Sequence, residues 1–131
     1  MELTVSTKRR CEVTDLTAEV KRACKEWGGT GLVHLLCPHT TAGIALNENY
    51  DPTVKEDLLA TLAKLVPEKA GYAHAEGNSD AHIKSVLVGC QVTVPVLKGK
   101  PRLGRWQGIY FCEFDGPRPR TVWLTFLRGE E

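Results

Sequence analysis

Three of the four histidines in this chain sit among polar neighbours, where imidazole can do chemistry. His39 follows Pro38 and precedes Thr40 and Thr41. His74 lies in the run Tyr72-Ala73-His74-Ala75-Glu76-Gly77-Asn78, and His82 comes eight residues after it. Imidazole suits proton transfer near neutral pH and binds divalent metals. A metal site needs such side chains converging from separate segments, which these can do, although their spacing matches no short zinc signature. The competing reading is three surface or capping histidines. His34, between Val33 and Leu35, reads as a sheet-face histidine without a role.

Two further clusters carry polar chemistry. Asn47-Glu48-Asn49-Tyr50-Asp51 packs carboxylates and amides between a strand end and a helix start. Glu48 there can serve as a general base or an oxygen ligand, whereas Asp51 before Pro52 is explained by helix capping. Gly104-Arg105-Trp106-Gln107-Gly108 sets an aromatic beside a carboxamide. Either Gln107 is presented to a ligand, or Trp106 fills core space while Gln107 bonds the backbone. Arg118 and Arg120 follow a tight turn and either bind a phosphate or keep a hairpin soluble. Cys37, two residues before His39, is read as a buried thiol, with a catalytic thiol as the sharper alternative. No phosphate-binding glycine loop, dinucleotide fingerprint, serine elbow or H-E-x-x-H motif is present.

The elements that must position these residues follow from periodicity. Residues 3–13 are β-like with a charged middle and suggest a hairpin. Leu16, Val20, Ala23, Cys24 and Trp27 mark one face of a helix, with Thr14 as its expected N-cap and Gly28-Gly29 as its stop. Residues 31–37 read as a buried strand and 43–46 as a short one. Asp51-Pro52 opens a second helix striped by Val54, Leu58, Leu62 and Leu65 and ended by Pro67. Asn78 is expected to cap a third helix carrying His82 and closed by Gly89. Strands follow at 91–97, 108–114 and 121–127. The predicted class is α+β: a mainly antiparallel sheet or sandwich with about three helices, in one domain spanning residues 1–131. Strand 108–114 is apolar on both faces, which predicts cover by a second sheet or a partner subunit.

Composition narrows the function class. The 131 residues carry 17 Lys and Arg against 16 Asp and Glu, too even a balance for non-specific nucleic-acid binding. No apolar run approaches the roughly 20 residues of a membrane helix, and the first residues show no leader pattern. Five cysteines without a C-x-x-C pair are expected to be reduced and buried, so a cytoplasmic location is expected.

Taken in order, Pro38-His39-Thr40-Thr41-Ala42-Gly43, Asn47-Glu48, Glu76-Gly77-Asn78 with His82, and Gly104-x-Trp106-Gln107 resemble the YjbQ-like family of small proteins, uncharacterised protein family 0047, which carries the label "secondary thiamine-phosphate synthase enzyme". The match covers nearly the whole chain. Arg105 stands where the family's Gly-Thr-Trp-Gln pattern is expected to carry threonine. The resemblance implies a homotrimer and a site drawn from His39, Asn47, Glu48, His74, Asn78, His82 and Gln107. It implies a weak activity joining a pyrimidine diphosphate to a thiazole phosphate. On this reading His39, Glu48 and His82 are catalytic. Thr40, Thr41, Asn47, Asn78, Trp106, Gln107 and Arg118 bind a small phosphorylated substrate. His39, His74 and His82 hold a divalent metal, with Glu48 near them and His34 outside. Pyrophosphate displacement usually calls for Mg²⁺ and oxygen ligands, whereas histidines suit Zn²⁺. The alternatives are therefore a metal-dependent hydrolase or phosphate-transfer enzyme using the same residues, and a non-catalytic trimeric ligand-binding protein.

Overall fold

In the computed structural model, residues 1–130 are described, and eight strands form two sheets, with one of three helices packed into the core between them and two on the outer face of the smaller sheet. Strands β1 (Glu2–Ser6), β3 (Gly31–Leu36), β5 (Gln91–Leu97), β6 (Lys100–Pro101) and β8 (Pro119–Arg128) make a five-stranded sheet in the order β1-β8-β3-β5-β6. Strands β2 (Glu12–Asp15), β4 (Ala42–Glu48) and β7 (Gln107–Glu113) make a three-stranded one in the order β2-β7-β4. Every pairing is antiparallel. The helices are α1 (Thr17–Trp27), α2 (Pro52–Leu65) and α3 (Ser79–Val88).

Side-chain alternation along β7 explains the layering. Ile109 and Phe111 face the main core with Val33, Leu35, Val94, Val122 and Leu124 of the larger sheet and Val20, Ala23 and Cys24 of α1. Tyr110, Cys112 and Phe114 face a second core with Leu62 of α2 and Ala81 of α3. The strand that reads as apolar on both faces is thus covered by a second sheet on one side and by helices on the other.

Local signals hold in some places and yield in others. Gly28 takes φ +70° at the end of α1, and its N–H closes onto the Cys24 carbonyl. Asp51 caps α2 by accepting from the Thr53 N–H at 2.9 Å, with Pro52 opening the helix. Thr14 does not cap α1. It lies in β2 paired with Phe111; the N-cap position falls on Leu16, and the Asp15 carboxylate just before it accepts from the Thr17 N–H and hydroxyl. The expected hairpin at 3–13 does not form, because β1 pairs β8 in one sheet and β2 pairs β7 in the other. Helix α3 runs against pattern. It buries Asp80, Ala81, Lys84 and Ser85 and exposes Ile83, Val86 and Leu87. Among the described residues no helix is long and apolar enough to cross a membrane.

Candidate functional site

One polar cleft of about 560 Å³ opens where the two sheets meet. Three segments build it: the loop 37–41 joining β3 to β4, residues 76–78 leading into α3, and the corner between β7 and β8. Together they bring His39, Thr40, Thr41, Asn78, His82 and Arg118 to a common surface, joined by Arg10, Glu76, Asp115 and Arg120. A second hollow of about 530 Å³ shares His39, Thr40 and His82 with it. Apart from Pro38 the cleft's lining is polar or glycine, and it contains no phenylalanine, tyrosine or tryptophan.

The loop before β4 is pinned from both sides. His39 Nε2 accepts from the Thr121 N–H of β8 at 2.9 Å, so the neutral ring carries its proton on Nδ1. Burial lowers the His39 pKa, and the nearby Arg120 guanidinium lowers it further, both favouring the neutral ring. Arg120 donates from Nη2 to the Thr41 hydroxyl at 2.8 Å and from Nε to Glu113 at 2.8 Å. Glu113 is fully buried and also accepts from Thr7 and from the N–H groups of Phe114 and Asp115. Burial alone would raise its carboxyl pKa, but hydrogen bonds from Arg120 and Thr7 outweigh that and hold it below the ordinary carboxylate value.

The opposite wall rests on α3. Asp80, fully buried, takes a two-pronged ion pair from Arg10 at 3.1 and 3.0 Å and a third contact from Lys84 at 3.1 Å. These bonds overcome the effect of burial and depress its pKa as well. Asn78 begins the helix, but its side chain does not cap it. The amide nitrogen donates instead to Asp115 at 2.9 Å, and Asp115 also accepts from Arg118 at 3.2 Å. A carboxylate only accepts, so the amide orientation is fixed, and Oδ1 is left buried without a partner.

Other predicted site residues lie elsewhere. His74 meets His82 edge to face, ring centroids 5.3 Å apart, but lines a neighbouring hollow beside Tyr72 and Ile83. Glu48 and Asn47 end β4 six residues beyond Ala42, which at a strand's rise is about 20 Å from the cleft. In one chain, therefore, Glu48 does not approach the histidines. Asn47 Oδ1 accepts from the Glu48 N–H, and the Glu48 carbonyl accepts from Tyr110. Gln107 turns its carbonyl to the Gly104 N–H at 2.7 Å. Trp106 is half exposed against Tyr50 rather than in the core. His34 bonds Gln91 on the outer face of the larger sheet, away from the cleft. All five cysteines are unpaired, but Cys90 is exposed and Cys11 only half-buried. Cys37 is buried, and burial pushes its thiol pKa up, which opposes a nucleophilic role. Among the described residues no three His, Cys, Asp or Glu side chains are arranged to hold one metal ion.

Sequence reasoning missed Arg10, Glu113 and Asp80. A signal for Glu113 existed: a glutamate two residues past Phe111 occupies a core-facing position of an otherwise apolar strand.

The two-sheet α+β fold and the cleft at its corner define a small single-domain protein class that solved structures share over nearly their full length. A Clostridium acetobutylicum protein described as an uncharacterised conserved member of the YjbQ/UPF0047 family superposes with a TM-score of 0.94 at 46% identity, covering 97% of this chain and 99% of that one. The conserved hypothetical protein TT1486 from Thermus thermophilus gives 0.92 at 45% identity, with 97% and 99% covered. The UPF0047 protein YugU of Bacillus subtilis is 48% identical over 127 residues, covering 95% of this chain and 96% of YugU. The family model for "UPF0047 protein YjbQ-like" matches residues 1–129, and the chain belongs to that family.

Proposed function

We propose that the cleft binds a small phosphorylated substrate and that His82 moves a proton during hydrolysis or transfer at its phosphate ester. The observation that supports this most is the gathering of six candidate residues from three distant segments around one polar hollow. Arg118 and Thr40 offer donors to phosphate oxygens, and neutral His39 offers its Nδ1–H. His82, whose side chain makes no hydrogen bond to the described residues, is the group free to take or give a proton. Phosphate-ester chemistry is favoured over thiamine-phosphate formation because the cleft has no phenylalanine, tyrosine or tryptophan to stack a pyrimidine, and its two aromatic rings, His39 and His82, serve the phosphate and the proton.

Among the described residues of one chain, the donor set does not fit a resident three-ligand metal. Dependence on Mg²⁺ or Zn²⁺ is therefore read from the assay by adding chelator. Glu48, Asn47, Trp106 and Gln107 join this chemistry only if a neighbouring copy supplies them. A homotrimer is the assembly we propose; Leu32, Trp123 and Leu127 leave the outer face of the larger sheet partly apolar. A cytoplasmic setting agrees with five unpaired thiols.

The test is a panel with Mg²⁺, Mn²⁺ or Zn²⁺ supplied: phosphomonoester hydrolysis, phosphodiester hydrolysis and thiamine phosphate formation. Turnover lost in His82→Ala supports the reading. Thiamine phosphate as sole product shifts the reaction to pyrophosphate displacement. No turnover in any assay leaves a ligand-binding protein, and light scattering at the chain mass removes the trimer.

A further inference from the structure

Arg120 is the least exposed cation of the cleft, at 4%. Its guanidinium is two-thirds committed. Nε donates to Glu113, and Nη2 donates to Thr41 and Glu113. Nη1 has no partner among the described residues. It is not sealed in either, because among the described residues the buried side-chain atom left without a partner is Asn78 Oδ1 alone. An arginine held rigid on two edges thus presents its third nitrogen, with two N–H donors, to the cleft. Arg118 differs: nearly half its side chain is in solvent, and its Nε and Nη2 donate to Asp115, a neighbour on the same corner.

We infer that Arg120 Nη1, with the Nδ1–H of His39 in the same cleft, forms the seat of a tetrahedral oxyanion, and that the cleft anchors its ligand by a terminal phosphate group there. This rests on the proposed function only for the choice of cleft, not for the reaction.

The geometry selects among anions. A carboxylate takes an arginine best as a fork, through two nitrogens at once. Here Nη2 is already engaged, so a planar carboxylate finds half a fork. A phosphate group can give one oxygen to Nη1 and keep others for His39 and for the Thr40 hydroxyl, which bonds nothing else among the described residues. Glu113 acts as a positioning residue: it touches no ligand, but its hydrogen bonds fix which edge of Arg120 faces the cleft.

The test uses the full chain labelled with ¹⁵N, titrated with inorganic phosphate, then with acetate. Nitrogen resonances of the His39 ring and the Arg120 side chain are followed by NMR, and affinity by calorimetry. Phosphate is expected to shift both sets of resonances, and acetate neither. Arg120→Lys keeps a cation for Glu113 but lacks Nη1, and is expected to weaken phosphate at least tenfold. Arg118→Ala should cost less. Should Arg120→Lys fail to fold, the wild-type shifts decide alone. The inference is overturned if phosphate leaves Arg120 and His39 unmoved, if Arg120→Lys binds as wild type, or if Arg118→Ala abolishes binding while Arg120→Lys does not. Phosphate bound at Arg120 without any turnover sinks the proposed reaction and leaves the seat standing. Turnover with no phosphate-induced shift at Arg120 does the reverse.

Discussion

Glu113→Leu removes the carboxylate from Arg120 while filling the same strand position with a side chain of similar volume. Arg120 is then left nearly buried, keeping only its Thr41 contacts. Breaking a buried pair by deleting one partner costs about 3–5 kcal/mol, because the orphaned charge stays out of water. The N–H groups of Phe114 and Asp115 lose an acceptor too, so the upper half of that range applies. A chain of this length changes its melting temperature by roughly 3.6 °C per kcal/mol, so Tm should fall by about 14–18 °C. Differential scanning calorimetry at pH 7 and fixed protein concentration reads it directly. The control is Glu113→Leu with Arg120→Met, which removes both charges and should recover at least half the loss. Two results would refute the reasoning: a single variant within about 4 °C of wild type, or a double variant no more stable than the single.

Four other outcomes are expected. His82→Ala should cut turnover about 100-fold or more while changing stability by less than about 1 kcal/mol, measured by steady-state kinetics beside urea melts. Stability should fall in two stages on acidification. His39 has a depressed folded pKa, so its contribution is present at neutral pH and fades as pH drops below the ordinary histidine value of roughly 6.5. Glu113 and Asp80, also depressed, are lost as pH falls below about 4 through their folded values; urea midpoints from pH 8 to 3 in wild type and His39→Gln separate the stages. Gly43→Ala should cost about 1–3 kcal/mol, because a Cβ there would lie 2.6 Å from the Gly89 carbonyl that bonds Ile44; a thermal melt checks it. In native protein a thiol reagent should label exposed Cys90 first and spare Cys112, whose pKa burial pushes up to about 12, as peptide mass mapping would show.

What the chain reveals before folding is mostly local. The αL stop at Gly28, the Asp51-Pro52 helix start and the alternation of β7 depend on neighbours in sequence, and each is found where its residues predict it. The split of β1 and β2 between sheets was hidden, because register is decided by strands more than 90 residues away. Part of the site was legible in residue type, through His39 and His82 as polar residues with no capping or packing duty, and Thr40 and Asn78 entered through the family resemblance. Glu48 and Gln107 met the same criterion and lie at the far end of β4, since distance along a strand does not show in residue type. Arg10 and Asp80 were invisible because their pairing spans 70 residues and leaves no periodic trace.

Helix α3 docks on the protein by its polar side. Arg10 and Lys84 hold Asp80, Ser85 gives its hydroxyl to the Ala42 carbonyl, and the side chains of Ile83, Val86 and Leu87 face outward. Burial of apolar surface carries a large heat-capacity change and weakens on cooling, whereas polar burial carries one of opposite sign. The attachment of α3 therefore follows a different temperature law from the sandwich beneath it. Cooling loosens the sheets' grip on each other while leaving this helix's hold comparatively intact, and because Asp80 and Lys84 are buried, added salt screens their ion pair little. Asn78 and His82 belong to α3 and its start, so the cleft wall they form is held by contacts that keep their strength on cooling while the sandwich beneath loosens.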